Sequence, residues 1–155
     1  KFARNMPNVP CQIKPGMTAL SFGKNISQEE SDEIKKILES TGKVEIVPEN
    51  LMDCVTAVSG SGPAFVFMFI EAMADAAVKC GMPRNQAYIY ASQTVKGSAE
   101  LVLETQKHPA VLKDSVTSPA GTTIEGISAL EESGFRSAVI KAVTKAFEKS
   151  KSMNS

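Results

Sequence analysis

The stretch Asp114-Ser115-Val116-Thr117-Ser118-Pro119-Ala120-Gly121-Thr122-Thr123 crowds hydroxyl side chains around a Pro/Gly turn that feeds directly into a helical pattern. A helix N-terminus presents unpaired N–H groups and a partial positive charge, so it binds a carboxylate or phosphate without help from Arg or Lys. Ser118, Thr122 and Thr123 add hydroxyl donors to such a cradle. A plainer role is also open, in which Thr122 or Thr123 only N-caps the helix. Hydroxyls in excess of one cap keep the ligand-binding reading in play.

Other candidates carry less. Ser59-Gly60-Ser61-Gly62-Pro63 lacks the GxGxxG order, a preceding strand and a GK[ST] ending, so close crossing of helices at small residues explains it better than nucleotide binding. His108, before Pro109, reads as a loop or cap residue. Asp53, Glu71 and Asp75 lie among apolar neighbours and read as partners for Lys or Arg. Cys11, Cys54 and Cys80 form no CxxC pair and no disulfide framework, which points to a reducing compartment and a cytoplasmic location. Cys54 and Cys80 read as small buried hydrophobes, and Phe65, Phe67, Met68, Phe69 and Met73 as core. With one histidine and no ligand cluster, no metal is expected.

The balance of 17 basic against 17 acidic residues gives no field for nucleic acid, so none is expected as a partner. The uninterrupted apolar run Ala64–Ile70 is far short of the roughly 20 residues of a membrane span, and no membrane partner is expected. At 43% apolar and 22% charged the chain can bury a core.

The elements that must hold the hydroxyl turn divide near Pro48. Residues 1–48 read as strand, strand, helix, strand: Met17–Gly23 is a short strand, Ser27 and Glu30 form a capping box, Ile34, Ile37 and Leu38 form a helical stripe, Gly42 sits at C′, and Lys43–Val47 alternates. Residues 49–155 read as helical. Asn50 caps a helix over Leu51–Val58, the Ser/Gly/Pro run breaks or kinks it, and Ala64 to Cys80 forms a helix apolar on almost every face, ended by Gly81. Such a helix is buried on all sides, most economically between subunits. Helices over Arg84–Glu104, Ala110–Val116, Thr123–Glu132 and Phe135–Lys149 follow, with a frayed tail over Ser150–Ser155. The expected fold class is mainly α, a helical dimerisation domain behind a small α/β remnant of a Rossmann sheet.

His108 through Glu131 (HPAVLKDSVTSPAGTTIEGISALE) resembles the signature of pyrroline-5-carboxylate reductases. Arg4-Asn5-Met6-Pro7-Asn8-Val9-Pro10 is similar to that family's R-x-M-P-N-x-P, and Asp53–Pro63 and Glu132-Ser133-Gly134-Phe135-Arg136 match in order and spacing. The resemblance covers essentially the whole chain. It implies reduction of 1-pyrroline-5-carboxylate to L-proline with hydride from NADPH or NADH, by a homodimer that assembles in fives to a decamer. Dimer versus decamer, and NADPH versus NADH, stay open.

By the same resemblance, Ser118, Gly121, Thr122 and Thr123 hold the substrate, with Thr123 placed at the ring nitrogen as the catalytic residue. Ser115 lies near the substrate, and Asn8 and Glu49 lie near the cofactor. Ala120 stands where the family usually has a glycine, which is tolerable if φ is negative. No glycine-rich dinucleotide fingerprint occurs, so the chain is expected to be a C-terminal part, inactive by itself. Two alternatives differ in class. One is a cofactor-free dimerisation and ligand-binding module. The other is a hydroxy-acid dehydrogenase, disfavoured because Lys113 precedes the hydroxyl turn and no Lys lies within it.

Overall fold

The structure, a computed structural model, describes Lys1–Asn154; Ser155, the last residue of the expected tail, lies outside the described residues. Two units form: Lys1–Phe65 with Ile140–Ser155, and Val66–Val139.

In the first unit, β1 (Ala3–Pro7) runs antiparallel to β2 (Gly16–Phe22), and β3 (Gly42–Ile46) runs parallel to β2 on its other side. Thr18, Ala19, Leu20 and Ser21 of the middle strand are all buried, as expected for a strand covered on both faces. Between β2 and β3 lies α1 (Gln28–Leu38), opened by the expected capping box. The Ser27 hydroxyl accepts from the Glu30 N–H at 3.2 Å, and the Ser27 N–H donates to Glu30 Oε2 at 2.8 Å. Lys1 also pairs with Glu30, and these donors lower the Glu30 carboxyl to about 2. Gly42 follows a 3-10 turn over Glu39–Thr41 rather than α1 itself.

At the Ser/Gly/Pro run the regular α-helix is interrupted by a π-helical turn and a bend at Ser61, but the helical path resumes beyond it. A 3-10 turn over Glu49–Leu51 leads into α2 (Met52–Val55), a π-helical turn over Thr56–Gly60, and α3 (Gly62–Lys79). Pro63 falls in the first turn of α3, where its missing N–H costs nothing. Gly60 permits close approach to β1, because a Cβ there would sit 2.7 Å from Met6 Cε. The close approach at Gly60 is therefore of a helical turn on a strand, not the crossing of two helices that the small residues suggested. Asn50 lies inside the 3-10 turn and provides no side-chain cap.

In the second unit, the residues of α3 from Val66 onward pack on α4 (Arg84–Thr105) through Ala74, Ala87 and Ala91, bordered by Ile70, Met73, Ala77, Val78 and Met82. Alanines at a crossing let two helices approach closely. Gly81, at φ 99°, ends the first helical arm. Arg84 pairs with Asp75 and stands 5.6 Å over the Tyr88 ring, so Asp75 is the structural partner of an arginine, as its neighbours suggested. Then come α5 (Pro109–Ser115), α6 (Thr122–Glu132) and α7 (Phe135–Met153), with Phe135 and Phe69 rings 5.9 Å apart.

Three expectations about burial are corrected. Phe67, Met68 and Phe69 are exposed, at 58%, 69% and 37%, because this chain has too few residues to cover a helix that is apolar all round. Cys54 and Cys80 are exposed rather than buried. The tail is not frayed from Ser150: α7 continues to Met153 and Ser150 is buried. Helical continuity also lengthens the apolar segment. Glu49–Lys79 is long and apolar enough to cross a membrane by length and composition, whereas the apolar run that Glu71 interrupts is too short by itself.

Candidate functional site: the Ser118–Thr123 turn

The last turn of α5 consumes its own hydroxyls. Ser115 donates to the Leu112 carbonyl and Thr117 to the Lys113 carbonyl, each at 2.7 Å. These bonds satisfy carbonyls that a helix end leaves unpaired. At the other end of α5, His108 Nδ1 accepts from the Ala110 N–H at 3.1 Å, so His108 is the cap that its position before Pro109 suggested. Lys113 is held by Asp114.

Ser118, Pro119, Ala120 and Gly121 then form a tight turn, closed by the Gly121 N–H donating to the Ser118 carbonyl at 3.1 Å. Proline at the second position presets its φ. Ala120 adopts φ 55°, so the condition of a negative φ, under which alanine is readily tolerated here, is not met; a turn closed this way after proline forms with either sign of φ at its third position, and this one takes the positive form.

The helix cap is also different from the plain reading. Gly121 is the N-cap of α6, with φ −87° and ψ 171° and no side chain to offer; Thr122 and Thr123 are the first two helical residues. Neither threonine caps the helix. The first-turn N–H groups are therefore left without a side-chain acceptor. Ser118, Thr122 and Thr123 are exposed, and among the described residues their hydroxyls have no partner. A Cβ on Gly121 would stand 2.3 Å from Ser118 Oγ, so glycine at this position is what lets the Ser118 hydroxyl lie against the helix N-terminus. Free amides and free hydroxyls in one turn can receive a carboxylate by charge-assisted hydrogen bonds. No guanidinium or ammonium is needed. Glu125, also in the first turn, contributes opposing charge.

Ser115 stands one helical turn earlier with its hydroxyl donated to Leu112. Asn8 and Glu49 belong to the first unit. Asn8 Oδ1 accepts from the Met17 N–H at 2.9 Å and lies 3.7 Å from Cys11 Sγ, bracing the 3-10 turn Val9–Ile13 against the start of β2. Glu49 is ion-paired with Arg4 of β1. The described residues contain no glycine-rich passage from a strand into a helix, and the link from β2 to α1 (Gly23-Lys24-Asn25-Ile26-Ser27) has one glycine, packed against the Phe2 ring. These residues do not fit the phosphates of a dinucleotide. No group of three or more metal-ligating side chains occurs among the described residues.

Sequence reasoning missed three features. Ala120's conformation and the glycine cap left no signal beyond Pro-Ala-Gly itself. An apolar groove of about 570 Å³ on the second unit, lined by Phe67, Met68, Ile70, Glu71, Tyr88 and Ser92, was concealed by reading α3 as core.

The described residues thus comprise a three-stranded sheet with its helix, and a helical region that carries an uncovered apolar face and an uncapped hydroxyl turn. The family model described as pyrroline-5-carboxylate reductase dimerisation matches residues 49–153, and the chain belongs to that family. It is 51% identical to the pyrroline-5-carboxylate reductase of Escherichia coli over 154 residues, 99% of this chain and 57% of that protein. The structure superposes on the NADP-bound pyrroline carboxylate reductase of Plasmodium falciparum with a TM-score of 0.93 at 38% identity, over 100% of this chain and 64% of that one. A pyrroline-5-carboxylate reductase from Coxiella burnetii matches with a TM-score of 0.92 at 35% identity, over 97% and 56%. This chain thus spans a little over half the length of the curated relatives it matches.

Proposed function

We propose that this chain is the substrate-binding and assembly part of an enzyme that reduces 1-pyrroline-5-carboxylate to L-proline. The observation that carries this reading is the uncapped N-terminus of α6, with the free hydroxyls of Ser118, Thr122 and Thr123 around it. The ligand carboxylate sits on the first-turn amides and the Ser118 hydroxyl. The ring nitrogen then faces Thr123. A threonine hydroxyl is far too weak an acid to supply a proton by itself, so Thr123 acts by hydrogen-bonding and orienting the nitrogen that gains a proton as the C=N carbon is reduced. Ser115 lies at the edge of this site.

A nicotinamide, NADPH or NADH, supplies the hydride when bound. Residues 1–48 are the trailing part of a dinucleotide-binding domain, and residues 49–155 are the dimerisation and substrate domain. Asn8 and Glu49 stand on the cofactor side. The exposed face of α3 and the groove beside Tyr88 suit a second copy of the chain, giving a homodimer and, by further assembly, a decamer. Free cysteines at positions 11, 54 and 80 suit the cytoplasm.

One observation favours a second reading, a cofactor-free binding module: the missing phosphate cradle itself. Turnover of 1-pyrroline-5-carboxylate with NADPH or NADH by the full-length protein separates the two, since a cofactor-free module shows none, and Thr123→Ala then tests the site. Reductase action predicts a fall in kcat/KM of about 100-fold with unchanged sedimentation. Unchanged turnover removes Thr123 from the mechanism.

A further inference from the structure

Ala120 has a Cβ at φ 55°, a conformation that costs an L-residue energy and that glycine and asparagine tolerate better. The turn around it has few ways to relax. Pro119 has its φ fixed by the ring, and the Gly121 N–H is held by the Ser118 carbonyl at 3.1 Å. One motion remains that preserves this bond, a rotation of the Pro119–Ala120 peptide, which returns Ala120 to negative φ and reverses the direction of its N–H. Two turn shapes are therefore available on the same chain closure, and they present different donors to the N-terminus of α6. Strained backbone of this kind persists where surroundings or a ligand hold it.

We infer that Ala120 is a positioning residue that sets the affinity of the turn for its carboxylate ligand: the positive-φ shape receives the ligand, alanine disfavours that shape, and the bound acid must hold it. This rests on the turn being the substrate site. A ligand that binds one of two shapes has its apparent affinity lowered by the fraction of chains in the other. The side chain of Ala120 touches no substrate in this account and acts through the amide directions and the Ser118 hydroxyl.

The test uses the full-length enzyme with Ala120→Gly, Ala120→Asn and Ala120→Val, reading KM for 1-pyrroline-5-carboxylate, kcat, and the Kd of L-proline. Expected is an affinity order that follows tolerance of positive φ: glycine tightest, then asparagine, alanine and valine. Glycine should lower KM and the L-proline Kd about fivefold, with kcat within about twofold of the parent. Asparagine decides the matter, being bulkier than alanine yet predicted to bind more tightly. An order that follows side-chain size, or an unchanged KM in both the glycine and asparagine variants, overturns the inference. The glycine and asparagine variants remain decisive if the valine variant fails to fold. Ser118→Ala and Thr123→Ala serve as controls. If neither alters KM or turnover, the substrate-site reading falls and takes the inference with it; if they do and the Ala120 series stays flat, only the inference falls.

Discussion

Ser150 Oγ donates to Asp53 Oδ1 at 2.7 Å, joining residues 97 apart in the chain, and Asn154 Nδ2 donates to the same oxygen at 2.7 Å. One carboxylate thereby fastens the final turns of α7 to α2. Hydrogen bonds from Ser150 and then Asn154, with the charges of Arg4 and Lys151 adding to them, hold the Asp53 carboxyl below its ordinary 3.8. A carboxyl whose pKa is depressed on folding contributes stability above its unfolded pKa and loses it as pH falls through the folded value. The latch is therefore at full strength at neutral pH and fails in acid. Asp53→Asn should lower the thermal midpoint at neutral pH, and the gap from the parent should close as pH drops below 3.8. A gap of constant size across that range would show that the carboxylate's charge is irrelevant to the latch.

Gly42 is the least replaceable glycine of the sheet. It adopts φ 148°, and a Cβ there would lie 2.1 Å from the Gly16 carbonyl oxygen of β2. The obstacle is backbone in the parallel β2–β3 ladder, which cannot swing aside as a side chain can. Gly42→Ala is expected to cost about 3 kcal/mol of stability, measured by urea denaturation. A loss below about 1 kcal/mol would mean that β3 can shift its register without penalty.

Local chemistry was readable without coordinates. Ser27 and Glu30 announce their capping box by spacing, Gly81 announces the end of α3, and the Pro/Gly turn ahead of α6 announces a helix start, because each is decided within a few residues. What escaped was decided at a distance or by a competition between local preferences. Ser150 reads as tail until Asp53, 97 residues earlier in the chain, gives it a partner. Thr122 and Thr123 are better N-cap types than Gly121, yet the close approach of Ser118 Oγ selects glycine for the cap and moves both threonines into the helix. The apolar character of Phe67 and Met68 was plain; their exposure was not, since hydropathy records that a surface will be covered and says nothing about which chain covers it.

That uncovered surface makes a prediction about assembly. Phe67, Met68 and Ile89 are each more than half exposed, a larger apolar display than a monomer normally carries. The chain should elute as a dimer or larger at micromolar concentration. Met68→Asp, which puts a charge into the groove that also holds Phe67 and Tyr88, should shift it to monomer or raise the dimer Kd by at least about 100-fold. A parent chain that elutes as a clean monomer would remove the subunit-interface account of α3.

The sharpest test of the hydroxyl turn lies at Gly121. Its φ of −87° suits any residue, so Gly121→Ala imposes no backbone strain, and the clash it creates is with Ser118 Oγ at 2.3 Å. A serine hydroxyl can rotate away, so stability should change by no more than about 0.5 kcal/mol. Rotation would nevertheless carry the hydroxyl off the N-terminus of α6. On the proposed substrate-site reading, the free amides stay in place and the carboxylate loses one donor of several, so KM for 1-pyrroline-5-carboxylate in the full-length protein should rise about tenfold with a smaller change in kcat. Ser118→Ala should produce the same rise, and the double variant should add little, since both changes remove one hydroxyl from one place. Additive losses would instead mean that Gly121 acts through its own amide or through the shape of the turn, and that Ser118 is not the group it makes room for.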